Sequence, residues 1–250
     1  MRATLGKRLR FWTRRIFRTT FVIGIYRKLR EIAIVPYTHR LLRQASDRRG
    51  SAFTVVQVGA HDGNLLDPLS VLVRRHRWSG VLVEPNPENF KKLQETYRDH
   101  PQIRLEQAAI SDQDSTVTLY RPKPLPGGEP NPFIGQDTLH PENHRKLAWI
   151  DGDWQNLIEP IDVPCLTLAT LLAKHAVTEI DFFLTDTEGH DLIILDQLDF
   201  DSAPPQFLQF EFIHMAKDEL KEFTDRLRGH GYKLLYLRWD IFAYRPPLSG

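Results

Sequence analysis

Val56-Gln57-Val58-Gly59-Ala60-His61-Asp62-Gly63 is the stretch on which the reading of this chain turns. Residues 53–58 form a short apolar, β-branched run that reads as a buried strand. The chain then turns through glycines at 59 and 63. A cofactor lying across the carboxyl ends of parallel strands needs a close backbone approach after the first strand, which a residue without a β-carbon permits. A second strand, residues 80–84, ends in Glu84, 25 residues after Gly59. A carboxylate there can accept two hydrogen bonds from a ribose diol. Dinucleotide folds use the same acidic device, so Glu84 alone does not separate the cofactors.

The glycine spacing separates them further. Dinucleotide binding prefers G-x-G-x-x-G, whose middle glycine lets the backbone reach a pyrophosphate at a helix N-terminus. Here that position is His61, and Asp62 makes the loop acidic. An acidic loop suits a cofactor carrying a cationic sulfonium and an ammonium, and it opposes a pyrophosphate. A bare strand-to-helix turn also satisfies the two glycines taken alone.

Outward from this loop, short apolar runs alternate with amphipathic stretches, the pattern of an α/β sheet with helices on both faces. Asp67 and Pro68 mark the start of a helix reaching about residue 77, and Asn86-Pro87-Glu88 starts another. Residues 103–110 read as a third strand. Residues 121–160 hold seven prolines between Pro122 and Pro160, and read as an inserted loop whose Trp149 and Trp154 would wall a substrate. Thr167 then caps a helix. A strand over 180–185, a helix over 190–198, a strand over 207–212 and an amphipathic helix over 217–228 follow. Residues 232–239 and 241–244 close the chain as an antiparallel edge hairpin.

Four segments in this order resemble the FkbM-type methyltransferases: residues 56–63, Gly80-Val81-Leu82-Val83-Glu84-Pro85-Asn86-Pro87, Ala108-Ala109-Ile110-Ser111-Asp112, and residues 180–191 around Asp186-Thr187-Glu188-Gly189. The resemblance covers about residues 52–245. It implies a Rossmann-like class I methyltransferase sheet, mostly parallel, with S-adenosylmethionine as cofactor and a hydroxyl oxygen of a sugar, glycan or secondary metabolite as acceptor. It further implies that Gly59, Ala60, His61, Asp62 and Gly63 line the methionine part. Glu84 would bind the ribose with Asn86 beside it, Gln107 and Ala108 would pass the adenine, and Asp186 would face the transferring methyl group. The family commonly has Lys-Ile-Asp before the Glu-Gly, whereas this chain has Leu184-Thr185-Asp186, so no lysine acts there.

A sulfonium is an activated donor, which leaves the protein to align an acceptor oxygen, exclude water and remove a proton. Asp186, His190 and His214, each at or just beyond a strand's carboxyl end, are the candidates for that work. Asp186, Glu188, His190, Asp191, Glu211 and His214 also invite a metal reading, but their spacing matches no specific ligand pattern and no metal is assigned. Two other function classes stay open on sequence: an NAD-dependent oxidoreductase, opposed by His61, and a non-catalytic module that attaches to a membrane or protein.

The formal charge of +1 conceals a split. Residues 1–50 hold 14 Lys and Arg against Glu31 and Asp47, and the remainder holds 19 basic and 30 acidic residues, a net of −11. Two regions follow, a basic helical extension over 1–50 and a catalytic domain over 51–250. Leu5, Leu9, Trp12, Ile16, Ile23 and Tyr26 recur at mostly helical spacing, and Pro36 ends that run. Such a segment fits packing on the domain, an anionic membrane surface through residues 1–35, or an organellar transit peptide. Nucleic acid would be repelled by the acidic remainder. Interruption by Arg27, Lys28, Arg30 and Glu31 excludes a spanning helix from 21 to 35. The single Cys165 fits a reducing compartment and a cytoplasmic chain, peripheral to a membrane if the basic segment docks there. Oligomeric state is not legible.

Overall fold

The computed structural model describes residues 35–64, 69–125, 131, 133–143, 154–237 and 239–246. The chain divides into two units, Met1–Gln44 and Ala45–Gly250. The division falls inside helix α1 (Val35–Arg49), and Pro36 stands in its first turn, where a missing N–H removes no hydrogen bond. The amphipathic run before it lies outside the described residues, as do Asp67, Pro68 and Trp149.

In the larger unit, β1 (Thr54–Val58), α2 (Ser70–His76), β2 (Ser79–Val83), α3 (Pro87–Thr96) and β3 (Ile103–Glu106) come first. Later come β7 (Phe182–Thr185), α5 (Asp191–Leu195), β8 (Phe207–Glu211), α6 (Lys217–Gly229), β9 (Lys233–Tyr236) and β10 (Asp240–Tyr244). One seven-stranded sheet has the order β3-β2-β1-β7-β8-β10-β9. The first five strands are mutually parallel; β10 runs antiparallel to both β8 and β9, which gives the expected edge hairpin.

Strands covered on both faces must be apolar throughout, and β7 and β8 are buried at every position. Adjacent phenylalanines show both faces in use. Phe183, with Val56, Val81, Leu208 and Phe210, packs against Ile194 and Leu195 of α5 and Phe223 and Leu227 of α6. Phe182 points the other way, its ring edge-on to Phe207 and Phe242 at 6.3 and 6.0 Å. Burying each such ring stabilises the fold by roughly 1.5–3 kcal/mol. Right-handed crossovers leaving β1 in opposite directions put α2 and α3 on the face away from α5 and α6. Local capping agrees: Asn86 Oδ1 accepts from Glu88 N at the start of α3. At the other margin Trp78, fully buried against Phe53 with ring centroids 4.5 Å apart, donates from Nε1 to Ser46 Oγ.

Two expectations require correction. The single strand read over 103–110 is two. Its pairing with β2 ends at Glu106, and after Gln107 and Ala108 the chain enters β4 (Ala109–Ile110), which pairs with another sheet. The proline-rich segment 121–160 is likewise not all loop. β5 (Ser115–Pro122) and β6 (Ile158–Leu166) form an antiparallel pair in the three-stranded sheet β4-β6-β5, so the connection is residues 123–157. Pro160 and Pro164 argue against a strand by composition. Tyr120 exchanges its backbone bonds with Thr138 and not with its partner Pro160. Pairs alternate along an antiparallel ladder, so both prolines fall where β5 requires no N–H from them. A fully buried helix face follows this sheet: α4 (Leu168–Lys174), capped by Thr167 Oγ1 on Thr170 N, buries Leu168 and Leu171, and Cys165 is a buried free thiol.

Candidate active site

Crossovers diverge between β1 and β7, which opens a crevice beyond their carboxyl ends. Gly59 leaves β1 there with φ +84°, and a β-carbon on it would lie 1.9 Å from the Asp186 carbonyl oxygen. Asp186 N donates to Val58 O at 3.0 Å, and the Gly59 and Ala60 amides both donate to Val83 O. Gly63, with φ +68°, has Tyr97, which caps the C-terminus of α3, and Leu93 of α3 at 2.8 and 2.9 Å from where its β-carbon would be. Each glycine therefore answers first to a protein neighbour, and a cofactor is a second reason for it.

Glu84 is 4% exposed, and each of its oxygens accepts one backbone N–H: Oε2 from His61 and Oε1 from Asn86, both at 2.8 Å. His61 reaches this position through a left-handed conformation, φ 50°. Burial, reinforced by the nearby Asp137 carboxylate, pushes the Glu84 carboxyl up to about 8 despite those two bonds. A carboxylate has about four acceptor positions; the Asn89 side chain bonds to this one as well, so one position is left to receive a diol hydroxyl. Asp62 has a local task, accepting from Asn64 N at 2.8 Å.

Asp137 was not singled out in the sequence. Its two oxygens accept from Asn86 Nδ2 at 2.7 Å and Asn89 Nδ2 at 3.2 Å, and burial raises its carboxyl above the usual range. The same segment is tied to the β7 side of the crevice. Thr138 Oγ1 and Asn143 Nδ2 both donate to Glu188 O, at 2.8 and 2.9 Å. Asn143 Nδ2 would be 2.2 Å from a β-carbon at Gly189. The inserted segment thus spans the crevice from the Glu84 side to the Glu188 side.

At the ends of β7 and β8 the titratable groups crowd together. Asp186 is exposed, Glu188 takes a left-handed φ of 53°, and Asp191 accepts from Thr187 Oγ1 at 3.0 Å. Asp191, and not Glu188, is therefore the carboxylate in the first turn of α5. Glu188 turns instead to His214, with Oε2 3.2 Å from Nε2, and Glu211 Oε2 lies 3.7 Å from the same nitrogen. Burial lifts Glu188 to about 8, helped by Asp191, and lifts Glu211 to about 12, helped by Asp186 and Glu188.

His190 sits apart from this group. It is buried, with Nδ1 3.0 Å from His140 Nε2 and Nε2 2.9 Å from Ser111 Oγ. Burial, then the neighbouring His140, lowers its ring to about 4, so it is neutral near pH 7. Gln107 is exposed and Ala108 buried at the passage between the two sheets.

A family model for the FkbM methyltransferase domain matches residues 57–234. The chain belongs to this methyltransferase family. Among solved structures it is similar to the methyltransferase FkbM from Methylobacillus flagellatus KT, with 16% identity and a TM-score of 0.48 over 78% of this chain and 43% of that one. It thus spans less than half the length of that protein. The N-terminal domain of human METTL16 follows at 11% identity and TM-score 0.44, covering 86% of this chain and 69% of that one. Precorrin-6y C5,15-methyltransferase from Geobacter metallireducens GS-15 is similar at 12% identity and TM-score 0.38, over 82% and 87% of the two chains. No curated protein matches the sequence.

Within this family member, three of the four motifs lie on β1, β2 and β7 with the turns that leave them, and the fourth crosses to β4. The structure brings Asp186 and His214 to one corner and leaves His190 in a separate hydrogen-bonded chain with Ser111 and His140. Asp137, His140 and Asn143 carried no sequence signal, since isolated polar residues in a proline-rich segment look like solvent-facing loop, and Asn89 reads as an ordinary polar position of α3. Among the described residues, no helix of the chain is long and apolar enough to cross a membrane.

Proposed function

We propose that this FkbM-family chain uses S-adenosylmethionine to methylate a hydroxyl oxygen of a sugar, glycan or secondary metabolite. The observation that carries the cofactor reading is the Glu84 carboxyl, buried at the crevice and fixed in orientation by two backbone amides. A ribose hydroxyl supplies a further donor and favours the ionised form that burial disfavours. The residues fit the group: Glu84 would hold the ribose, Asn86 and Asp137 would flank it, and the residue 59–63 turn would lie along the methionine part. The cofactor supplies an activated methyl group on a sulfonium, which the acidic corner at Asp186 stabilises by charge.

The protein's own contribution is then positioning and proton removal. Asp186, exposed at the end of β7, is the group we assign to accept the hydroxyl proton. His190 is a poorer base, since its ring is neutral but weakly basic and both nitrogens are engaged. The segment 131–143 excludes water from the crevice it spans. Residues 1–35 are assigned to an anionic membrane surface on charge alone.

Separate calorimetric titrations of the full chain with S-adenosylmethionine, its demethylated product and NAD test the reading. Binding of the first two, weakened roughly tenfold or more in Glu84→Ala, is expected. Binding of NAD alone would end the methyltransfer proposal, and binding of none would favour a non-catalytic module.

A further inference from the structure

We infer that Glu188, Glu211 and His214 form a binding site for one divalent transition-metal cation of the Mn²⁺ or Zn²⁺ type. One ligand atom from each of the three lies within 4.8 Å of the others. Donors each about 2.1 Å from a shared ion stand roughly 3.0–4.2 Å apart. The observed separations of 3.2 Å between Glu188 Oε2 and His214 Nε2 and 3.7 Å between Glu211 Oε2 and His214 Nε2 fall in that window.

The second observation is the Glu211 carboxyl itself. It is 7% exposed, yet its Oε2 has no hydrogen-bond partner and is directed at His214. Glu188, Asp186, Asp191 and Asp240 all act on it as like charges. Among the described residues, the one cation partner recorded for either glutamate is His214, with no lysine or arginine. A buried carboxylate group without a counter-charge is costly, and a divalent ion is the compact counter-charge that fits the space. Two carboxylate oxygens with one imidazole nitrogen favour a borderline cation over Ca²⁺ or Mg²⁺.

The elements fix these ligands for structural reasons. Glu211 is the last residue of β8, His214 follows three residues on, and Glu188 is carried in by a left-handed turn after β7. Thr138 and Asn143 hold the carbonyl of Glu188 from the inserted segment, which orients this ligand from outside the ligand set. Three protein ligands leave coordination positions for solvent or an acceptor oxygen beside Asp186, and a hydroxyl bound there loses its proton more readily. This role rests on the methyl-transfer reading. The binding site does not.

Mn²⁺ titrated into the metal-free full chain, followed by electron paramagnetic resonance and calorimetry, tests the site without turnover. One ion per chain is expected, with at least tenfold weaker binding in Glu211→Gln and in His214→Ala. Each variant should keep the wild-type circular dichroism spectrum and S-adenosylmethionine affinity, which separates a failed metal site from a failed cofactor reading. Unchanged Mn²⁺ affinity in both variants, or no binding of Mn²⁺ or Zn²⁺ by a folded full chain that binds S-adenosylmethionine, overturns the proposal. Glu211→Gln also guards against misfolding, because the amide matches the carboxyl in shape and carries no charge, so it should melt no lower than the metal-free parent.

Discussion

The His61 amide donates to Glu84 Oε2 at 2.8 Å, tying the turn after β1 to the acidic end of β2. Because the Asn86 amide takes the other oxygen, the carboxyl is fixed in orientation before any ligand arrives. Replacing Glu84 by alanine should therefore cost both turn geometry and ribose contacts. A loss of S-adenosylmethionine affinity of about 1.5–3 kcal/mol, or roughly tenfold or more, is expected for charged hydrogen bonds. Calorimetry on Glu84→Ala checks it, and an affinity within twofold of the parent would remove Glu84 from the ribose site.

The same carboxyl gives the ligand-free protein a pH dependence. Its folded value of about 8 lies above the ordinary 4.5, so the folded state holds a proton that the unfolded state releases. This contribution to stability falls as pH rises from about 4.5 to about 8. Thermal melts across that range should fall less steeply in Glu84→Gln than in the parent. Parallel curves would contradict the burial argument.

His190 works in the opposite direction. Its ring is lowered from 6.5 to about 4, so the unfolded chain takes up a proton first as pH falls. Stability from this group is complete above about 6.5 and is lost on the way down to about 4. Proton NMR should show no protonation of this ring at pH 5.5; an ordinary titration near 6.5 would show that the His140 and Ser111 contacts do not hold.

Gly59→Ala places a methyl group where the Asp186 carbonyl oxygen already stands, 1.9 Å away, at a positive φ. Destabilisation of about 3 kcal/mol or more is expected, since neither backbone can retreat without breaking the β1–β7 ladder. Chemical denaturation measures it. A change under about 1 kcal/mol would mean that the two turns are looser than described.

Removing residues 1–34 should abolish binding to anionic vesicles and leave cofactor affinity unchanged. The cut is placed before Val35 because Ser46 bonds Trp78 and Arg49 pairs with Glu179 and Asp181. Co-sedimentation with phosphatidylserine vesicles reads the outcome, and equal binding by the two chains would reject the membrane assignment.

The sequence by itself determined the sheet and the strand ends that carry Gly59, Glu84 and Asp186. Both are local: an apolar run must be a strand covered on two faces, a cap must precede its helix, and Gly59, Glu84 and Asp186 directly follow strands in the order that makes them neighbours. Tertiary structure alone decided what meets across the crevice. Residues 103–110 divide between two sheets because β3 runs out of partner at Glu106, and Pro160 and Pro164 are admitted to β6 because the ladder leaves alternate N–H groups unused. Asp137 reaches Asn86 across 51 residues of chain, and Glu188 meets His214 across 26. Such contacts depend on long-range closure and on the left-handed turn at Glu188, neither of which has a period or a composition that a sequence displays.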